Sequence, residues 1–245
     1  EIPLRLVGSE MCIRDSSTTY MSFFSQMDAY GDGYAGIGVW RAAFKPLVDR
    51  IADTDIRLQW FCCDRSTGVT DASGNRITLI RDTQSPVAVE YQAVKFIGTG
   101  RDNIKAGVFS GWELGDYIYL RSEEAYMIKM EALAHKGSAE AVTELNSFMK
   151  TRQPDYNYTF TNKADLIEEI IYQKRVEFWG EGLEYIDNRR LNIPVDRTDE
   201  TWGAENNNHL SAGKFRYNQE DRPFLYQLPL SEIENNSQLS PSDQN

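Results

Sequence analysis

DYIYLRSEEAYMIKMEALAHKG, residues 116–137, decides the fold when it is set beside IIYQKRVEFWGEGLEYIDNRR, residues 170–190. Both stretches have helical periodicity, and both place ionisable residues where a plain amphipathic helix would place leucine. In the first, Leu120, Glu124, Met127, Ile128, Glu131 and His135 share one stripe. Two carboxylates seven residues apart on a partly apolar stripe are costly unless cations meet them. The second stretch supplies Arg175, Arg189 and Arg190. The economical expectation is two helices packed face to face, with Glu124 and Glu131 answered by those arginines.

The pattern extends outward as a mainly α chain. A helix starting at Tyr117 or Leu120 ends at His135, with Gly137 as its C-terminal cap. Ser138 caps a second helix with Ala141, Leu145, Phe148 and Met149 inward, and Pro154 stops it. Helix, short turn, helix and proline over about 34 residues match the period of a tetratricopeptide-like unit. A third helix runs from about Lys163 to Gly180, capped by Asn162 or Thr161, and a short one covers Tyr185–Arg190. Residues 191–224 read as loop, FLYQLP as a short extended segment and Ser231–Asn235 as one turn. Upstream, Val39, Trp40, Phe44, Leu47, Val48 and Ile51 mark a helix that Pro46 kinks or restarts at Lys45. Asp53 or Thr54 caps a short helix over Asp55–Phe61, with Ile56, Leu58 and Trp60 inward. Val87–Ile97 reads extended, and 98–115 is a glycine-rich loop. A single helical hairpin cannot bury both its faces, so the rest of the scaffold is expected in a missing N-terminal half.

Four blocks in order carry a family resemblance. They are DYIYLRSEEAYMIKMEALAHKG, AVTELNSFMKTR, LIEEIIYQKRVEFWGEGLEYIDNRR and FLYQLPLSEIENNSQL. Together with FFSQMDAYGDGYAGIGVWRAAFKPLVDRIADTDIRLQWF upstream, the chain from about Tyr20 to Asn245 resembles the C-terminal half of the SusD/RagB family. The resemblance implies a tetratricopeptide-like helical scaffold with irregular loops and a few short strands, truncated at its N-terminus. It implies a surface-exposed outer-membrane lipoprotein, without catalysis or cofactor, that captures nutrients for a TonB-dependent, SusC-like transporter. Such proteins usually bind oligosaccharides, sometimes peptides. EIPLRLVGSEMCIRDS, residues 1–16, does not fit and looks like translated sequencing linker of the kind seen in metagenomic assemblies. Residues 17–245 are then expected to be the C-terminal part of one SusD-like domain, with any export signal and anchoring cysteine lying outside this chain.

Composition narrows the function classes. A net charge of −11 leaves no basic stripe for nucleic acid or for anionic lipid. Cys12, Cys62 and Cys63 make no disulfide framework, and two histidines, His135 and His209, leave little material for a His-based metal or catalytic site. No apolar run approaches the length of a membrane span. Glycosidases need two carboxylates flanking a bond, but the pairs Glu123/Glu124, Glu168/Glu169 and Glu177/Glu181 sit at surface or ion-pair spacing. No nucleophile elbow, phosphate loop or zinc-protease motif is present. DAYGDG, residues 28–33, lacks the carboxylates of a calcium loop at its third and twelfth positions and reads as a turn.

Binding is the better prospect. Sugars are held by flat aromatic faces flanked by amide, hydroxyl or charged groups. YMSFFSQMDAYGDGYAGIGVW puts six aromatics within residues 20–40, with Asp28 and Asp32 interleaved. Phe23, Phe24 and Trp40 are accounted for by pinning the loop to the helices, which leaves Tyr30 and Tyr34 as stacking candidates. Trp112 in a second loop joins them, whereas Trp60 and Trp179 read as core. The expected ligand site is therefore Tyr30, Tyr34, Trp112, Asp28 and Asp32, with an oligosaccharide as ligand. The alternatives are an oligopeptide ligand, or a helical-repeat scaffold that contacts only protein.

Overall fold

Backbone punctuation sets the helical elements. A computed structural model of the chain describes residues 11–15, 42–62, 91–93, 95, 115–221, 228–240 and 242. These residues fall into two units, Glu1–Glu181 and Gly182–Asn245. In the first unit, β1 (Met11–Asp15) pairs antiparallel with β4 (Gly115–Leu120), and β2 (Phe61–Cys62) pairs antiparallel with β3 (Gln92–Ala93). Its helices are α1 (Lys45–Asp49), α2 (Ser122–His135), α3 (Glu140–Met149) and α4 (Lys163–Glu177).

Pro46 sits in the first turn of α1, where its missing N–H costs nothing, so the helix restarts at Lys45. The following segment is a 3-10 turn, Ile56–Trp60, capped by Asp55, whose side chain accepts from the Arg57 amide. The expected cap at Asp53 or Thr54 is thus corrected to Asp55. The tighter winding also changes the inward set: Arg57 and Leu58 are buried, while Ile56 is exposed.

α2 starts later than its periodicity suggests. Gly115–Leu120 is a strand, consistent with its run of Tyr117, Ile118 and Tyr119, and Arg121 holds an extended N-cap at φ −119°, ψ 150°. The expected stripe is therefore split. Met127 and Glu131 are buried with Met130 and Ala134, whereas Leu120, Ile128 and His135 are exposed. The buried set 127, 130, 131 and 134 is the true i, i+3, i+4, i+7 face.

α2 ends in a Schellman motif. Gly137 adopts φ +72°, its N–H bonds Ala134 O at 3.0 Å, and the Ser138 N–H bonds Leu133 O at 3.0 Å. α3 buries Ala141, Leu145 and Met149; Phe148, expected inward, is half-buried beneath the Arg152 guanidinium. Asn162 caps α4 by accepting from the Asp165 N–H at 2.9 Å.

α4 is the central element. α2 packs on α3 and on α4, and from Ile170 to Glu177 all residues of α4 but Arg175 are buried. Tyr172 and Val176 join a core with Ala43, Val48, Ile51, Leu58, Phe61, Tyr91 and Ala93. Trp60 and Trp179 pack against it, Trp179 edge-on to Phe61 at 5.8 Å. Both tryptophans are half-buried, in keeping with their reading as core.

The second unit contains α5 (Leu183–Arg190), β5 (Val195–Asp196) antiparallel to β6 (Arg216–Tyr217), α6 (Asp199–Trp202), a 3-10 turn at Ser211–Gly213, and α7 (Leu230–Asn235). The expectation of a featureless loop over 191–224 is corrected for its described part. Order there comes from polar bonds, which periodicity does not reveal. Asp196 accepts from the Thr198 amide at 3.0 Å and from the Thr198 and Thr201 hydroxyls at 2.7 Å. Asn207 is buried and donates to Arg197 O and Asp199. Among the described residues no helix is long and apolar enough to cross a membrane.

The caps yield a test of the hairpin. A Cβ at Gly137 would meet nothing within 4 Å, so the cost of Gly137→Ala is backbone strain alone, about 1 kcal/mol. Asn162→Ala is expected to cost about 1 kcal/mol through the lost cap. Urea midpoints of the two variants and of their combination check both, with near-additive effects expected for separated sites.

Candidate functional site

A helix segment buried nearly all round is normally apolar all round. The 170–177 stretch of α4 is not: Gln173, Lys174 and Glu177 are buried in it. Glu177 is 2% exposed, and three arginines converge on its carboxylate. Arg121 Nη1 lies 3.2 Å and Arg152 Nη2 3.1 Å from Oε1; Arg152 Nε lies 3.3 Å and Arg57 Nη1 3.4 Å from Oε2. Arg57 is 1% exposed and doubly bonded to Asp55. Its Nη2 donates to Gln173 Oε1 as well, so α4 is tied sideways to the 3-10 turn.

The same cations close the helix. Beyond Glu177, α4 has terminal carbonyls without partners in the helix itself. Arg121 Nη2 donates to Glu177 O at 2.9 Å, and Lys95 Nζ donates to Glu177 O at 2.7 Å and Trp179 O at 3.1 Å. Positive charge at the C-terminal end of a helix is favoured by its dipole. Glu181 returns charge to both, at 2.8 Å from Arg121 and 2.5 Å from Lys95. Glu123 adds a fourth carboxylate, 3.5 Å from Arg152 and 3.8 Å from Arg121. Four carboxylates (Asp55, Glu123, Glu177, Glu181) thus balance four cations (Arg57, Lys95, Arg121, Arg152).

Burial pushes the Glu177 carboxyl up, but hydrogen bonding from Arg152 and the charges of Arg152, Arg57 and Arg121 outweigh it. The group is held at about 2, well below its ordinary 4.5. A carboxyl ionised throughout the physiological range cannot donate the proton that glycoside cleavage needs. The cluster is a structural hub.

On the far side of Asp55 and Gln173 lies a cleft of about 400 Å3, lined from residues 50–55, residues 153–158 and α4. Glu169 is its most constrained wall group. It accepts from Arg50 Nη2 at 2.6 Å, from the Tyr156 hydroxyl at 2.8 Å and from Gln173 Nε2 at 2.7 Å. Burial, then the Glu169 charge, push the Tyr156 hydroxyl above the ordinary tyrosine range. Arg50 also lies over the Tyr172 ring at 3.9 Å. Thr54 donates to Asp155 at 2.6 Å, and the Ile56 N–H to Arg152 O at 3.0 Å, so the two segments are stitched together. Asn146 clamps the Tyr158 backbone from both sides. Among the described residues the buried Tyr158 hydroxyl has no hydrogen-bond partner.

The expected stacking site of Tyr30, Tyr34, Trp112, Asp28 and Asp32 lies outside the described residues. Of the expected ionic set, Glu124 is half-buried in the first turn of α2, where the helix dipole favours a carboxylate. Glu131 is buried, with His135 Nε2 3.6 Å away. Arg175 is half-buried on α4. In the second unit Arg190 Nη2 bonds Asp187 at 2.7 Å, and Arg189 donates to Gln219 O. Sequence reading did not single out Arg57, Arg121 or Arg152 as partners of Glu177. It also passed over Tyr156 and Tyr158, whose i, i+2 spacing in the Pro- and Asn-containing loop after α3 is the signal that could have marked them.

Because Glu177 is more acidic folded than unfolded, its contribution is complete above about pH 5 and is lost as pH falls towards 2. That contribution is on the order of 3 kcal/mol, so acid titration of the unfolding free energy should steepen in this window. Glu177→Gln should cost on the order of 3–5 kcal/mol at pH 7 and flatten the same acid limb. The pairing of Glu131 with Arg175 across α2 and α4 is a proposal, supported by the packing of those helices. A double-mutant cycle with Glu131→Gln and Arg175→Gln should give a coupling of about 1 kcal/mol; strict additivity would remove the pair.

The model of the SusD family matches residues 91–245, more than half of the chain. Two solved structures, both from Bacteroides vulgatus ATCC 8482, share the fold. A SusD-like carbohydrate-binding protein is 20% identical at a TM-score of 0.59, over 91% of this chain and 45% of that one. A second, designated a sugar-binding protein, is 19% identical at a TM-score of 0.54, over 93% of this chain and 42% of that one. The chain therefore spans less than half the length of either structure. A comparison with curated proteins finds no match. Over residues 91–245 the match carries more than half of the sequence, and the chain belongs to the SusD family.

Proposed function

We propose that the protein captures an oligosaccharide at the outer-membrane surface, without cleaving it, and passes it to a TonB-dependent, SusC-like transporter. The supporting observation is the family match over residues 91–245. The fold shared with a carbohydrate-binding protein agrees with it. In this reading Tyr30, Tyr34 and Trp112 lend stacking faces to the sugar, while Asp28 and Asp32 accept from its hydroxyls. A lipid anchor holds the protein at the cell surface. No cofactor takes part, because recognition of a neutral sugar needs only apolar faces and hydrogen bonds.

Calorimetry against a panel of neutral oligosaccharides tests this. Loss of one stacking aromatic, in Tyr30→Ala or Tyr34→Ala, is expected to weaken binding by roughly tenfold or more. Added salt should leave the affinity nearly unchanged, since a neutral sugar brings no charge to screen. Binding of peptides in place of every sugar in the panel would move the assignment to the oligopeptide branch. Sugar binding untouched by both substitutions would take the 20–40 loop out of the site.

A further inference from the structure

The cleft beside α4 has the volume and the wall chemistry of a ligand site of its own. Its volume of about 400 Å3 lies within the roughly 300–1,000 Å3 usual for small-molecule sites. Its walls are unusual in being polar: Ile51 and Ala52 are its aliphatic members, and the remainder carry carboxylates, amides, phenols and one guanidinium. An apolar ligand would leave those groups desolvated and unpaired. An anion would face Asp55, Asp155 and Glu169 with Arg50 alone in its favour, and Arg50 is already engaged with Glu169. The chemistry that suits such walls is a neutral, hydroxyl-rich ligand, whose O–H groups both donate to carboxylates and accept from amides.

We propose that this cleft is a second saccharide subsite, separate from the aromatic loop at 20–40, that holds one or two pyranose units by their hydroxyls. The inference rests on the sugar-capture reading above and adds a place to it. Three observations carry it. First, the walls are set before any ligand arrives: Glu169 is held by three donors, and Gln173 is held between Glu169 and Arg57. Pre-organised polar groups bind a flexible sugar without ordering themselves in the event. Second, Asp155 and Asn157 stand exposed on the loop that forms the opposite wall, where they reach an incoming hydroxyl. Third, Tyr158 lines the cleft, and its buried hydroxyl has no hydrogen-bond partner among the described residues, which is a costly state for a polar group. A sugar hydroxyl entering beside it supplies a partner after a small shift of the loop.

The test uses the protein with a panel of neutral α- and β-linked gluco-, manno-, xylo- and galacto-oligosaccharides of two to six units. Calorimetry selects the tightest binder, and hydrogen exchange maps it. Protection is expected at residues 152–158 and 167–173, in addition to any at the aromatic loop. Asn157→Ala and Tyr158→Phe should each weaken binding by roughly two- to tenfold. Tyr158→Phe keeps the ring and removes only the buried hydroxyl, so its melting temperature should equal or exceed that of the parent, and lost affinity is not lost fold. Sugar binding that responds to Tyr30→Ala or Tyr34→Ala but not to these two variants, with no protection at the cleft, overturns the subsite and leaves the sugar-capture reading standing. Absence of binding to every sugar in the panel overturns both. Salt-sensitive protection of the cleft by an amine such as glucosamine, without protection by neutral sugars, overturns the neutral ligand class.

Discussion

Glu177 is a charge placed where the fold has no water to offer. It lies at the end of the buried half of α4, 2% exposed, and three separate segments each bring an arginine to it. Arg57 comes from the 3-10 turn, Arg121 from the junction of strand and helix before α2, and Arg152 from the segment after α3. The requirement is stringent because a buried carboxylate without partners costs several kcal/mol, far more than a marginally stable domain can spare. Satisfying it fixes the positions of those three segments around α4. Ion pairing of this kind is weak evidence for net stability, since desolvation of eight charges opposes it. What the hub supplies is positional: it selects one arrangement of the segments out of those that the apolar core alone would tolerate.

The hub also explains why α4 ends where it does. Lys95 and Arg121 take the carbonyls of Glu177 and Trp179, so the helix terminus is sealed by side chains far away in sequence. Gly180 at φ +79° then turns the chain. The same construction reaches the cleft. Gln173 is bonded on one side to Arg57 in the hub and on the other to Glu169 in the cleft wall. The α4 side of the polar lining is therefore tied directly to the ionic core.

The helical hairpin was legible because its signals are local. Gly137 needs a positive φ, Asn162 needs only a nearby amide, and Pro46 can stand only in a first turn, so each acts within four residues of itself. The mainly α character and the SusD family follow from the same blocks. The start of α2 was not legible: Tyr117, Ile118 and Tyr119 fit a helical stripe on paper, yet their β-branched and aromatic side chains suit the extended backbone they adopt in β4. The polar ordering of 195–217 was likewise hidden, since Asp196 and Asn207 act through hydrogen bonds that leave no period in the sequence.

The sequence by itself determined the Gly137 and Asn162 caps, the hairpin, the family and the need for cations to answer buried acids. Only the tertiary structure decided which acid and which arginines. Arg57 and Glu177 stand 120 residues apart, and Arg121 and Glu177 56 apart. Periodicity reports which face of a helix is buried, but not what stands across from it. The fold made Glu177 the hub because the C-terminal half of α4 is buried, and at that end a carboxylate and the helix dipole call for cations together.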